Sequence, residues 1–241
     1  MDRALAEQVA WSCRILAMGG HGDFTLGHAS ARLDDHRLIM KANKMGLEEV
    51  TPENVLTLDM NGSLLKGNGP VHLEAVLHTG VYKRRPDVGA VIHTHPKYAT
   101  ALGATDATVE MINHDAVLFR NGISYFDETA QLIVNDDQAG SVADALGDRN
   151  VLIMRGHGVL IAGKNLHWAV YTALTLERVL EIQMIARGLG NLRSMTDEMA
   201  ASVYPEKYQD AYMETYWRHM VRQVRRAGLD FGMDSSIEAP R

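Results

Sequence analysis

The chain has 241 residues, 46% of them hydrophobic, which suits one domain with a substantial core. Its formal net charge of −6 gives no reason to expect nucleic-acid binding, and no apolar run reaches the length of a membrane span. The single cysteine, Cys13, excludes an internal disulfide and is compatible with a reducing compartment, so a cytoplasmic protein is expected.

Apolar spacing predicts a first helix over Asp2 to Met18, and charged residues among its apolar ones distinguish it from a signal peptide. Short segments bounded by turn residues predict strands at Gly27 to Leu33, Arg37 to Lys41 and Val55 to Asp59. A hairpin is indicated by Asn61-Gly62. The next predicted elements are a helix Val71 to Lys83, a strand Val88 to His93 and a short helix Pro96 to Gly103.

The second half of the chain continues the alternation of helices and strands. Its predicted elements are a strand Val109 to Val117, a helix Asp136 to Leu146, strands Asn150 to Met154 and Gly158 to Ala162, and a long helix Asn165 to Leu189. A helical tail over about residues 195–228, with a turn near Pro205, follows. Strands dominate the centre and no linker interrupts the chain. We therefore predict one α/β domain over residues 1–241, with a mostly antiparallel or mixed sheet.

The most informative motif is His-Thr-His-Pro, which follows the predicted strand Val88 to His93. Side chains alternate across a strand, so His93 and His95 point to the same face and can bind one metal ion. His157 follows another apolar run and lies between two glycines, a tight turn that can aim its side chain inward. Three histidines leave a coordination position open for substrate or water, as catalytic metal sites do. The alternative is a chance pattern of ordinary polar histidines.

A carboxylate precedes the histidine strand, at the start of the predicted helix that contains Glu74 and His78. Residues four apart share one face of a helix. A glutamate near a helix start is most often solvated or a partner of the helix dipole, and spacing alone favours that interpretation. The functional alternative is a general acid/base beside the metal.

Taken in order, these motifs resemble those of the class II aldolase/adducin family, from about residue 5 to about residue 190. The residues that carry the resemblance are the glycine-rich segment Gly27 to Arg32, the pair Glu74 and His78, the motif His93 to Pro96, and the pair His157 and Gly158. The resemblance implies a class II aldolase-like fold, in which helices flank a central, mainly antiparallel sheet. It also implies a fourfold-symmetric homotetramer with active sites between neighbouring subunits.

The resemblance further implies a divalent metal, zinc or manganese, bound by His93, His95 and His157, with Glu74 as the acid/base. Two positions depart from the sugar-phosphate aldolases of the family. Those enzymes carry Asn where this chain has His28, and a Ser-Ser pair where it has His72 and Leu73. The loss of two hydroxyl donors removes part of a phosphate cradle.

The segments Gly27 to Arg32 and Lys41 to Pro52 are more similar to a branch that includes decarboxylases of hydroxylated aromatic dicarboxylates. In that branch Lys41 or Lys44 is expected to hold a substrate carboxylate, whereas the alternative is a solvated loop. The candidate substrate-binding residues are His28, Ser30, Lys41, Lys44, His72 and His114. Aromatic residues at roughly helical spacing in the tail predict a core or subunit interface, or a cover over the site. They are Tyr204, Tyr208, Tyr212, Tyr216 and Trp217.

Together these features predict a divalent-metal-dependent carbon–carbon lyase, either a decarboxylase or an aldolase. Its substrate is expected to be a non-phosphorylated, carboxylate-bearing hydroxy, keto or hydroxyaromatic molecule, cleaved through a metal-stabilised enolate. One alternative is a sugar-phosphate aldolase or epimerase. Another is a non-catalytic, adducin-like interaction domain, against which the intact set of three histidines and Glu74 argues. Small molecules are the expected partners, with neither nucleic acid nor membrane.

Overall fold

An eight-stranded sheet forms the centre of the computed structural model, which describes residues 2–233. The strand order is β4-β3-β2-β1-β5-β8-β7-β6, and every neighbouring pair is antiparallel except β6 and β7. The strands are β1 His28–Arg32, β2 Arg37–Lys41, β3 Val55–Asp59, β4 Leu64–Lys66, β5 Ala90–Thr94, β6 Ser124–Phe126, β7 Val151–Met154 and β8 Gly158–Gly163. The predicted α/β fold with a mainly antiparallel sheet is confirmed.

Helices cover both faces of this sheet. Ala29, Ile92 and Ile161 face the layer formed by α1, α5 and α7, whereas Val91 and Leu160 face the layer formed by α2 and α4. This alternation follows from the period of two along a strand. The helices are α1 Arg3–Leu16, α2 Ala75–Arg84, α3 Lys97–Gly103, α4 Asp136–Leu146, α5 Leu166–Leu189, α6 Asp197–Lys207 and α7 Asp210–Arg226.

Local signals set several helix starts. The side chains of Asp2, Asn135, Asn165 and Thr196 each accept a hydrogen bond from a backbone N–H in the first turn of the helix that follows. Such N-caps satisfy donors that have no partner within the helix. In the tail the helix continues through Pro205, and the break comes at Tyr208 and Gln209.

The predicted strand Val109 to Val117 is wrong. This segment is irregular and ends in a 3₁₀ turn at Ala116–Phe119. Its backbone is bound by a side chain of α5, because the Gln183 amide accepts from Glu110 N at 2.8 Å and donates to Thr108 O at 2.7 Å. An apolar run whose polar backbone groups are satisfied in this way does not need a strand partner. The short strand β6 was not predicted from the sequence.

Two features of the fold bear on the candidate site. Helix α2 begins at Ala75, four residues later than predicted, so Glu74 precedes its first turn. The central strands β1, β5 and β8 lie side by side. Strand β5 contains His93, and His95 lies just beyond its end. Within residues 2–233, no helix is both long enough and apolar enough to cross a membrane.

Candidate metal centre

Three histidines converge at the end of the central strands. His93 belongs to β5, His95 lies just beyond the end of that strand, and His157 lies in the turn between β7 and β8. Because β5 pairs with β8, with Thr94 opposite Val159, the turn is brought beside the His-Thr-His motif. One ring nitrogen from each histidine lies within 4.8 Å of the others. The three predicted ligands are thus close enough to bind one ion.

Hydrogen bonds orient two of these imidazoles. The His93 Nδ1 donates to the Val159 carbonyl at 3.1 Å, and the His95 Nδ1 donates to the Asp23 carboxylate at 3.0 Å. These bonds leave the Nε2 atom of each neutral ring with a lone pair, and the two Nε2 atoms are 3.2 Å apart. Two facing lone pairs repel each other unless a cation lies between them. A carbonyl or carboxylate behind a ligating histidine is the usual outer support of a metal site.

The third histidine is also available as a neutral ligand. Burial lowers the pKa of His157 to about 4 and holds the pKa of His93 well below its usual range. The His157 Nδ1 is buried without a hydrogen-bond partner among residues 2–233. Its Nε2 lies 3.7 Å from Glu74 Oε1. Three imidazoles whose ring nitrogens lie this close together fit zinc, manganese and related divalent ions.

The Glu74 carboxyl points into this cluster, and the interpretation of Glu74 as a solvated residue is wrong, since it is only 7% exposed. Its Oε1 accepts from Ile133 N at 3.0 Å, and its Oε2 lies 3.7 Å from the Nε2 atoms of both His93 and His28. Burial raises the pKa of Glu74, while the bond from Ile133 opposes that shift. A buried carboxyl of raised pKa beside histidines that could hold a metal ion suits proton transfer.

Behind the cluster lies a chain of buried polar groups. His28, opposite His93 in the pairing of β1 with β5, contacts His78 through Nδ1 and Nε2 at 2.6 Å. The Ser30 hydroxyl contacts His78 Nδ1 at 2.7 Å and the Tyr82 hydroxyl at 2.8 Å. Ser30, predicted to bind substrate, is fully buried, so the structure gives it a position behind His28 instead. Tyr82 was missed by the sequence analysis, although it lies four residues after His78 on α2.

A buried cation adjoins the site. Lys41 is fully buried, and its ammonium donates to His72 Nε2 at 3.3 Å and to Thr25 O at 3.4 Å. No carboxylate of residues 2–233 pairs with Lys41, and burial lowers its pKa. The His72 ring lies 4.5 Å from that of His28, centroid to centroid. The Lys41 charge also contributes to lowering the pKa of both histidines, after burial. The site is therefore polarised to favour an anion.

Two of the candidate substrate-binding residues lie apart from the cluster. The Lys44 side chain is exposed on a loop, at a backbone φ of +65°. His114 is exposed, and its backbone carbonyl accepts from the Tyr208 hydroxyl. No side-chain hydrogen bond within residues 2–233 joins either residue to the three histidines. Their roles in binding substrate stay predictions.

The aromatic residues of the tail pack mainly on α5. The Tyr216 ring stacks on that of Tyr171, with 5.3 Å between the ring centroids, and the Trp217 ring stacks on that of His167, with 4.3 Å between the centroids. Tyr208 is buried, whereas Tyr212 is largely exposed. Within one chain, Tyr208, Tyr216 and Trp217 thus belong to or pack against the core around α5, in agreement with the predicted core role, whereas Tyr212 does not.

Gly158 permits the close approach of the two histidine-bearing loops. A Cβ atom added at this position would lie only 2.5 Å from His95 Cδ2 and 2.6 Å from the Thr94 carbonyl oxygen. Replacing Gly158 by alanine is therefore expected to displace His95 and to weaken metal binding about 10- to 100-fold, as measured by metal analysis after dialysis. Gly188→Ala on α5, where nothing lies within 4 Å, is the matched control and should bind metal normally. Normal metal affinity in the Gly158 variant would contradict the role assigned to this contact.

A helix-covered, mainly antiparallel sheet with a histidine and carboxyl cluster at its central strand ends defines an α/β protein of the class II aldolase type. The model of the Class II Aldolase and Adducin N-terminal domain matches residues 7–184, and the chain belongs to that family. Asp23 and Ile133, which hold His95 and Glu74, were not found from the sequence, because no spacing connects them to their partners.

Relatives and solved structures agree with this assignment. The chain is 28% identical over 236 residues to the 3,4-dihydroxyphthalate decarboxylase of Arthrobacter keyseri, covering 92% of this chain and 94% of the relative. It is 31% identical over 183 residues to the 3-oxo-tetronate 4-phosphate decarboxylase of Haemophilus influenzae, covering 71% and 82%. An aldolase II superfamily protein from Pseudomonas syringae has the same fold, with a TM-score of 0.86, 24% identity and coverage of 97% and 96%.

Proposed function

We propose that this protein is a divalent-metal-dependent carbon–carbon lyase, with decarboxylation ahead of aldol cleavage. Its substrate is a non-phosphorylated, carboxylate-bearing hydroxy, keto or hydroxyaromatic molecule. The observation that carries the proposal is the arrangement of His93, His95 and His157, whose ring nitrogens lie within 4.8 Å of one another, beside the buried carboxyl of Glu74. A non-catalytic domain has no need for a buried carboxyl aimed at three converging histidines.

The residues of this chain divide the chemistry between them. His93, His95 and His157 would hold the cation, which in the bound state supplies Lewis acidity for negative charge on a substrate oxygen next to the breaking bond. Glu74 moves the proton. In decarboxylation, the electron pair of the C–C bond stays on the substrate carbon as CO₂ leaves, and Glu74 donates a proton to that carbon. In aldol cleavage, Glu74 takes the proton of the hydroxyl instead.

The preference for a carboxylate rests on the charge and the donors around the site. Lys41 brings a positive charge, unpaired with any carboxylate of residues 2–233, close to His72. His72 and Leu73 occupy the positions of the hydroxyl pair of phosphate-binding relatives. Ser30 does not replace those hydroxyls, because it bonds to His78 and Tyr82. One point charge serves a carboxylate, whereas a phosphate needs several donors. The relative named as a dihydroxyphthalate decarboxylase agrees with this preference.

The second candidate is a sugar-phosphate aldolase or epimerase. The observation that favours a phosphorylated substrate is the likeness to a relative named for one, the 3-oxo-tetronate 4-phosphate decarboxylase. The same metal-binding histidines and Glu74 serve either chemistry. The substrate anion therefore separates the two candidates.

Competition measurements test the anion directly. Small dicarboxylates and hydroxyaromatic acids are expected to bind the metal-loaded protein at least about tenfold more tightly than inorganic phosphate or sugar phosphates do, because the hydroxyl donors for phosphate are missing. Calorimetric titration gives the dissociation constants. Lys41→Met removes the charge while retaining a long apolar side chain, and it should weaken the binding of the carboxylates. Tight binding and cleavage of an aldose or ketose phosphate would favour the second candidate.

The overall proposal is tested by metal analysis combined with a substrate panel. Purified protein should contain about one divalent ion per chain, zinc or manganese. A panel of hydroxy, keto and hydroxyaromatic acids is then assayed for release of CO₂ or of pyruvate. Removal of the ion by a chelator should abolish the activity, and adding the ion back should restore the activity. Turnover that survives without the ion would overturn the proposal.

We further propose that the chain assembles as a homotetramer in the cytoplasm, with its sites near subunit contacts. Apolar residues next to the site are exposed in the single chain: Phe24 is 90% exposed, Leu73 68% and Leu132 51%. They adjoin Asp23, Glu74 and Ile133 in sequence, so a neighbouring subunit that covers them also closes the site. Analytical ultracentrifugation should give about four times the monomer mass of 26.6 kDa.

A further inference from the structure

We propose that Tyr82, Ser30 and His78 form a one-directional hydrogen-bond chain that fixes the tautomer of His28, so that His28 presents an N–H donor to the substrate. All four residues are at most 2% exposed. The contacts between them measure 2.8, 2.7 and 2.6 Å, from Tyr82 through Ser30 and His78 to His28. The role of His28 as a donor to the substrate rests on the proposed function, whereas the tautomer of His28 does not depend on it.

The direction of the chain begins at Tyr82. Among residues 2–233, the only hydrogen-bond partner of its hydroxyl is the Ser30 hydroxyl, at 2.8 Å. Only the Ser30 oxygen can therefore accept the buried Tyr82 O–H proton within the described chain. Tyr82 therefore donates to Ser30.

Donors and acceptors can be assigned in the same way from Ser30 through His78 to His28. The contacts of the Ser30 hydroxyl are Tyr82 and His78, so its own proton goes to His78 Nδ1. Burial lowers the pKa of His78 to about 3, and a neutral imidazole carries one proton. That proton is then on Nε2, which donates to His28 Nδ1. Neutral His28 consequently carries its proton on Nε2.

Other directions leave a buried hydroxyl unsatisfied. If Ser30 donates to Tyr82, the Tyr82 proton has no acceptor within the described chain. If Ser30 accepts from both neighbours, its own proton has none. Buried donors without acceptors are rare in native structures because they lose their bonds to water. Both alternatives, Ser30 donating to Tyr82 and Ser30 accepting from both neighbours, are therefore disfavoured.

The consequence concerns the face of His28 that meets the site. Its Nε2 lies 3.7 Å from Glu74 Oε2, and His28, Glu74 and His93 together form a second group with the spacing of metal ligands. A protonated Nε2 has no lone pair for a metal. His28 is thereby assigned as a hydrogen-bond donor to a substrate carboxylate or to the oxygen that gains charge during cleavage. Tyr82, Ser30 and His78 act as positioning residues behind it.

Neutron diffraction from deuterium-exchanged crystals of the metal-loaded protein locates the proton directly. We expect deuterium on His28 Nε2 and none on Nδ1. In Ser30→Ala, His78 Nδ1 loses the donor that sets its tautomer, and deuterium should be shared between the two nitrogens of His28. Ser124→Ala removes a hydroxyl that donates to Leu146 O elsewhere and should leave His28 unchanged. Deuterium on His28 Nδ1 in the unaltered protein, or an unshifted tautomer in a folded Ser30→Ala variant, overturns the proposal.

Binding of 3,4-dihydroxybenzoate supplies a second readout. Ser30→Ala should weaken this probe about tenfold, with metal content unchanged, and Ser30→Thr should restore binding by keeping the hydroxyl. His28→Ala should also keep its metal. Loss of metal in His28→Ala would make His28 a ligand and overturn the proposal. A probe that does not bind the unaltered protein counts against the proposed substrate class alone, because the neutron result is independent of it.

Discussion

Replacing His95 by alanine is expected to remove bound metal and lyase activity together. The change deletes one of three inward imidazoles, and it also leaves the Asp23 carboxylate without the ring that it orients at 3.0 Å. Changes to the outer support of a metal site alone cost about 10- to 100-fold in affinity, so loss of a ligand itself should cost more than about 100-fold. Metal analysis after dialysis, together with turnover on the substrate found in the panel, measures both effects.

The matched control for this prediction is His36→Ala. His36 is exposed on the turn between β1 and β2, so its removal should change neither metal content nor turnover. Circular dichroism should show the same secondary structure for both variants, because His95 lies beyond the end of β5 and not in the core. An His95 variant that keeps its full metal content would rule out the proposed ligand set.

Glu74→Gln is expected to lower turnover by about 10²-fold or more while metal content stays near normal. The glutamine keeps the shape of the side chain, and its carbonyl oxygen still accepts the bond from Ile133 N, which is 3.0 Å long in the parent. What is lost is the carboxyl that takes and gives a proton. Steady-state kinetics on the metal-loaded variant, with the metal measured in the same sample, separates the two roles.

Glu177→Gln provides the comparison for Glu74. Glu177 is also a buried carboxyl, and burial raises its pKa as well, but it accepts from Tyr98 N and Ala99 N at the start of α3. Its replacement should lower thermal stability and leave turnover per folded, metal-loaded chain unchanged. If Glu74→Gln keeps near full turnover, another group moves the proton, and the assignment of Glu74 as the acid/base is wrong.

The sequence alone determined the fold class and most elements, because local signals are strong there. The His-Thr-His motif follows an apolar strand, and a period of two puts His93 and His95 on one face. Helices α4 and α5 begin where an asparagine caps the first turn, close to the predicted boundaries. The strand predicted at Val109 to Val117 failed, since its apolar pattern does not reveal that Gln183 satisfies its backbone.

Only the tertiary structure decided how the site is supported. Asp23 meets His95 and Ile133 meets Glu74 across long stretches of chain, and sequence spacing contains no trace of either contact. Burial of the Glu74 carboxyl depends on packing between loops, which the spacing of residues in the sequence does not show. The sequence spacing therefore favoured a solvated side chain, whereas the carboxyl is buried. Local preferences act over a few residues, whereas the orientation, pKa and tautomer of a buried group depend on neighbours brought in by the fold.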